Sequence, residues 1–188
     1  MGDEYWYPLY EKLCALDVPA HIHSTGNQHG RGTYSTHFID EESLAILSLV
    51  NSRVFLDFPK LKIIVSHAGG SVPYQVGRWR AERLHPVMAK NLPLNEPFDT
   101  SLRRLYYDTV IHAKDSLAML IKLVGSDRVV FGTENPGSGT ALNPETGRSF
   151  DDIRALSTYL HFPTWSAMIE FMIQSFLATP RSPHSQPP

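Results

Sequence analysis

Lys62-Ile63-Ile64-Val65-Ser66-His67-Ala68-Gly69-Gly70 is the stretch on which the fold turns. Its first half is short, apolar and β-branched without polar alternation, as a strand covered on both faces of a parallel sheet must be. The two glycines that follow make a tight strand-to-helix turn and let backbone approach a ligand closely. A helix N-terminus behind them favours an anion. That helix is expected over 72–89, with Pro73 tolerated in its first turn.

The same alternation continues on both sides. Upstream, residues 7–16 place apolar groups at helical spacing and Val18 to His23 reads as a strand. Asp40 is a fitting N-cap for a helix over 41–52, with Glu41 and Glu42 at its positive end. Downstream come a strand at 105–110, a helix at 114–124 closed by Gly125, a strand at 128–132 and a helix at 150–160. Four β/α units in a row specify an α/β fold with a parallel sheet, either doubly wound or part of a barrel. A complete eight-unit barrel takes about 250 residues, more than the 188 present. The Pro- and Ser-rich stretch from Pro180 to Pro188 has the composition of a disordered tail.

Composition narrows the function classes. With 17 basic and 19 acidic side chains and 42% hydrophobic residues, the chain reads as one globular domain without a nucleic-acid footprint. The single cysteine, Cys14, excludes a disulfide scaffold and a Cys-rich zinc module and fits a reducing compartment. No apolar run has the length of a membrane span, so the expectation is a soluble, cytoplasmic protein. No Gly-x-Gly-x-x-Gly follows any strand, which argues against a dinucleotide module.

Ligands of parallel α/β folds sit at the carboxyl ends of the strands. Each expected strand ends in a metal ligand or proton carrier: His21 and His23, then His67, then Asp108 followed by His112, then Glu134. His21 and His23, two apart on a strand, share a face and can reach one ion; the alternative is that one is an ordinary polar group. Glu134 can be a metal ligand, a general base or an N-cap acceptor. Arg78 offers a fork to a substrate carboxylate or is a helix-surface cation. Asp108 orients a histidine or caps the next loop. His29, His37, His85 and His161, in loops or helices, read as ordinary.

Taken together, Tyr7-Pro8-Leu9-Tyr10-Glu11, Val18-Pro19-Ala20-His21-Ile22-His23, Phe58-Pro59, Ser66-His67-Ala68-Gly69-Gly70 and Gly132-Thr133-Glu134 resemble the amidohydrolase-related family that contains aminocarboxymuconate-semialdehyde decarboxylase. The resemblance runs from Tyr5 to Ile153. Residues 131–152 look most like its 4-oxalomesaconate hydratase branch; decarboxylase relatives generally carry aspartate where Glu134 stands.

The resemblance implies a metal-dependent (β/α)8 TIM barrel of which this chain is the C-terminal half, strands five to eight, in a domain over 1–160. Residues 161–188 are then a divergent tail. It implies a divalent metal, zinc first, held by His23 from strand five and Glu134 from strand eight. His21 is a third candidate, at a position where relatives carry an apolar residue. His67 is the catalytic group of strand six and Glu134 shares the proton chemistry. Arg78 and Asp108 face a small carboxylated substrate from aromatic-compound breakdown, to be hydrated or decarboxylated. The His-x-His pair that relatives carry on strand one is expected from a partner chain that carries strands one to four, while pairing of two copies edge to edge is the other way to cover the open sheet. The competing expectation is a non-catalytic remnant, or one half of a split enzyme.

Overall fold

A computed structural model describes residues 1–24, 32–93, 96–134 and 136–152. Of the helix expected over 150–160 only residues 150–152 are described, and they form a turn; the tail at 161–188, His29 and His161 lie outside the described residues. Helix α1 spans Tyr7–Leu16, with Pro8 in its first turn where a missing N–H costs nothing. It stops at Asp17 in the left-handed conformation, whose N–H bonds back to Cys14 and Leu13. Strand β1 (Ala20–Ile22) follows, then α2 (Tyr34–Val50), the one-turn α3 (Val54–Asp57) and β2 (Ile63–Val65). After β2 come α4 (Val76–Leu84), the short α5 (Phe98–Leu102), β3 (Tyr106–Tyr107) and α6 (Lys114–Val124).

The strands pair in parallel in the order β1-β2-β3, with Ala20 opposite Ile63 and Ile64 opposite Tyr106. The strand expected at 128–132 is shorter than anticipated. It continues the sheet only through a parallel bridge of Val129 to Tyr107 and a hydrogen bond from Val130 N–H to the Tyr107 carbonyl. The fold is thus α/β around a parallel sheet, as the sequence implied.

Three helix boundaries move by four residues or more; α4 begins at Val76 rather than 72, so Pro73 lies ahead of the helix and not in its first turn. α2 begins seven residues before its expected start, so Asp40, Glu41 and Glu42 sit inside it rather than at its end. Ile46, Leu49 and Val50 of α2 are fully buried in the core, and packing of this helix outweighs the roughly 1 kcal/mol preference of a capping residue. α4 stops at Leu84 rather than 89, because His85 precedes Pro86 and takes an extended conformation, ψ 122°. One continuous core gathers Tyr10 of α1, Ile46, Leu49 and Val50 of α2, Ile63 and Val65 of β2, Tyr107 of β3 and Leu117, Leu120 and Val124 of α6. No helix among the described residues is long and apolar enough to cross a membrane.

Candidate active site

The side chains with chemical potential gather just beyond the carboxyl ends of the strands. The turn after β2 is the most constrained element there. His67, Ala68, Gly69 and Gly70 all have positive φ, at 48°, 54°, 84° and 62°. For the two non-glycine residues that conformation is strained and must be held from outside. Asp108 holds it: Oδ2 accepts the His67 N–H at 3.2 Å, and Oδ1 accepts those of Ala68 at 2.8 Å and Val110 at 3.1 Å. Burial pushes the Asp108 carboxyl above its ordinary value, although these N–H groups and His67 favour the charged form. Of the two roles open to Asp108 from sequence, the structure displays the backbone-holding one.

The remaining amides of the turn are also taken internally. Gly69 N–H bonds the Ser66 carbonyl, Gly70 N–H the His67 carbonyl, and Ser71 N–H the Ser43 hydroxyl. The glycine turn is therefore no anion cradle, contrary to the expectation from its sequence. Its glycines serve packing instead: a Cβ on Gly70 would stand 2.6 Å from the Ile39 carbonyl oxygen and from Ser43 Oγ. Gly70→Ala is expected to destabilise the chain by about 1–3 kcal/mol, from the strain of positive φ and from overpacking. Chemical denaturation of the two proteins checks this.

His67 is anchored by its ring as well. Nδ1 donates to both oxygens of Glu42, at 2.9 and 2.8 Å, and Glu42 is completely buried. The Ser24 N–H is 3.5 Å from Glu42 Oε1. Burial opposes a charged His67, but the hydrogen bond and charge of Glu42, with Asp108 and Glu134 behind, outweigh it and hold His67 above the usual imidazole range. The sequence reading missed Glu42 by placing it at a helix end. The available signal was its position three residues after Ile39 and four before Ile46, on the inward face of a longer helix.

His23 follows β1, its ring centroid 5.1 Å from that of His67 and 5.3 Å from that of Phe38. The ligating atoms of His23, Glu42 and His67 lie within 4.8 Å of one another, a spacing open to a metal ion. Within this group Glu42 and His67 form a hydrogen-bonded pair. His23 has the arrangement of a free ligand: Nδ1 donates to the Ser24 carbonyl at 2.8 Å, which leaves Nε2 with its lone pair. His21 is not brought into this group; its Nε2 lies 2.8 Å from Ser66 Oγ, which itself donates to the Ile22 carbonyl.

Glu134 stands with His112, Ser138 and Asp151. His112 Nε2 is 3.1 Å from Glu134 Oε2 and from Ser138 Oγ, and its Nδ1 is 3.1 Å from Asp151 Oδ1. Ser138 Oγ donates to the same Glu134 oxygen at 2.9 Å, so these contacts leave Oε1 unengaged. Burial alone would raise the Glu134 carboxyl, but the Ser138 and His112 hydrogen bonds and the nearby imidazoles hold it below the ordinary carboxylate range. His112 adopts φ 55°, a second strained residue at this rim.

One pocket of about 180 Å³ joins the two groups. Its walls include His67, Gly70, His112, Glu134 and Ser138, with Phe38, Ile39, Val110 and Ile111 supplying apolar surface. Arg78 is exposed on α4 and is not among the lining residues, and neither is Asp108. Polar groups converging on a mostly apolar cleft at strand ends are the usual build of a small-molecule site.

The chain is similar to proteins of one known family. The family described as Amidohydrolase matches residues 1–164. A 2-keto-4-carboxy-3-hexenedioate hydratase of Sphingobium sp. is 34% identical over 160 residues, covering 82% of this chain and 44% of that protein. A 6-methylsalicylic acid decarboxylase of Penicillium expansum is 34% identical over 100 residues, 52% of this chain and 30% of its own length. Among solved structures, a 4-oxalomesaconate hydratase of Rhodopseudomonas palustris superposes with a TM-score of 0.70 at 29% identity, over 93% of this chain and 50% of that one. The chain spans about half the length of these hydratases.

Proposed function

Because the chain belongs to the amidohydrolase family, we propose that it carries strands five to eight of a (β/α)8 barrel and supplies that barrel's acid–base pair for hydration of a small carboxylated enoate. The proposal assigns the domain to 1–160 and leaves 161–188 as an appendage. Strands one to four of that barrel belong to protein outside these 188 residues. What supports the reading is the pocket wall on which His67 and Glu134 meet, together with the likeness to two hydratases.

Hydration adds water across a carbon–carbon double bond conjugated to a carbonyl. One group must take a proton from the water and another must give one to the developing enolate. The surroundings push the two titrating groups in opposite directions, His67 towards its cation and Glu134 towards its anion. Such a divergence assigns the roles: Glu134 is the base and His67 the acid. Phe38, Ile39, Val110 and Ile111 exclude water from the rest of the substrate.

The family implies a divalent metal, and the donor set here suits one: His23 Nδ1 is engaged with the Ser24 carbonyl and leaves Nε2 available, and among the described residues the hydrogen bonds to Glu134 end on Oε2. These two residues would hold it, and when bound it would polarise the substrate carbonyl and lower the pKa of bound water. Zinc and manganese both accept this imidazole and carboxylate set.

The rate is expected on a plateau bounded by the two groups. Below it, activity falls only when the pH drops under the ordinary carboxylate range, where Glu134 takes up a proton. Above it, activity falls as His67 loses its proton, at a pH higher than the about 6.5 of a free imidazole. A pH profile of kcat reads both limbs. The direct test offers the metal-supplemented chain a conjugated keto-enedioate and follows loss of the enoate absorbance and release of carbon dioxide. Loss without carbon dioxide supports the hydratase; carbon dioxide release replaces it with a decarboxylase, and neither change refutes both.

A further inference from the structure

We propose that Glu42 is a positioning residue for His67, fixing the proton on Nδ1 and thereby presenting Nε2 to the pocket. The inference rests on the acid–base role given to His67 above. Its structural basis stands without it.

Glu42 lies within α2, inside a 17-residue helix, and its side chain has no exposure to water. A carboxylate in such a place must be hydrogen-bonded, because burial of an unpaired charge is expensive. Its main partner is a single nitrogen, His67 Nδ1, which both oxygens approach at 2.8–2.9 Å. A carboxylate only accepts, so Nδ1 must be the donor. Nε2 is then the nitrogen left for chemistry on the pocket side, where His67 forms part of the wall.

The rest of the residue is held just as tightly. Asp108 takes the His67 backbone N–H and keeps φ at 48°. The ring therefore has its backbone fixed from β3 and its far nitrogen fixed from α2, with the rings of His23 and Phe38 against it. A residue whose tautomer, orientation and backbone are each set by a different element is preorganised for one task. α2 thus contributes Glu42 to the site, where the sequence alone suggested a residue at the helix's positive end.

Histidine-selective 15N NMR on the chelated full chain reads this directly. His67 is assigned by the signal that disappears in His67→Gln, and spectra are taken at about pH 9, where neutral imidazoles report their tautomer. A free imidazole side chain in water favours the proton on Nε2. Wild type is expected to show His67 with the proton on Nδ1, the reverse. Glu42→Leu is expected to return it to Nε2, while Glu42→Gln, whose amide oxygen still accepts, keeps it on Nδ1. In the active assembly Glu42→Leu should lower kcat by about 10–100-fold with KM changed little. A wild-type His67 carrying its proton on Nε2 overturns the proposal whether or not the variants fold, and so does a Glu42→Leu spectrum matching wild type. Because the NMR readout needs no turnover, a failed activity assay would count against the proposed function and leave this inference standing.

Discussion

Asp108→Ala is expected to lower the stability of the chain by about 3–5 kcal/mol, the largest single loss outside the hydrophobic core. Three backbone N–H groups, from His67, Ala68 and Val110, end on this one buried carboxylate. Each hydrogen bond to a charged acceptor contributes about 1.5–3 kcal/mol, and the sum falls short of additivity because the turn can relax. The loss also removes what holds His67 and Ala68 at positive φ, so the site should collapse before the core does. Asp108→Asn keeps one acceptor and turns an amide NH2 towards N–H groups, so it should fall between wild type and alanine. Urea denaturation with circular dichroism gives the numbers. An alanine variant within about 1 kcal/mol of wild type would show that the turn is held by its packing against α2 instead.

Glu134→Gln should do the opposite, leaving the fold nearly intact and removing the chemistry. The amide has the size of the carboxylate and can still accept from Ser138, so stability should stay within about 1 kcal/mol. It cannot take a proton, and loss of a general base costs about 10²–10⁴-fold in rate. The fall should appear in kcat/KM, because Glu134 serves both as the base towards the water and as a ligand of the metal that would polarise the substrate carbonyl. A variant that keeps more than about a tenth of wild-type kcat would move the base elsewhere on the rim. His112 is the first alternative, since its Nε2 lies 3.1 Å from the same oxygen.

The architecture was legible wherever the sequence states its own local physics. Ile63, Ile64 and Val65 form an unbroken apolar run, fully buried at Ile63 and Val65 and half-buried at Ile64 on the other face, and Gly125 closes α6 at positive φ. The stop of α4 was also written, in Pro86, but a long run of helix formers hid it. The start of α2 was not: a local capping signal at Asp40 competes with packing of Ile46, Leu49 and Val50 that exists only once the sheet is assembled. α5 escaped for the same reason, being one short turn whose Phe98 and Leu102 are buried by neighbours distant in sequence.

The site shows the same division. Placing His23, His67 and Glu134 at strand ends needed only the rule that parallel sheets present their ligands there. What the sequence could not reveal is which partner each acquires. His21 turns to a serine on the neighbouring strand, and Asp108 faces backbone amides. Glu42 reaches the centre of the site from a helix 25 residues before the histidine it holds. These are contacts between elements, set by register and packing.

Whether these strand ends hold a metal is measured directly by elemental analysis of the purified chain after dialysis against zinc or manganese. The prediction is about one divalent ion per chain in wild type, and none above background in His23→Ala or Glu134→Ala variants that retain the wild-type circular dichroism. Wild type free of metal, or metal retained equally by both variants, would contradict it.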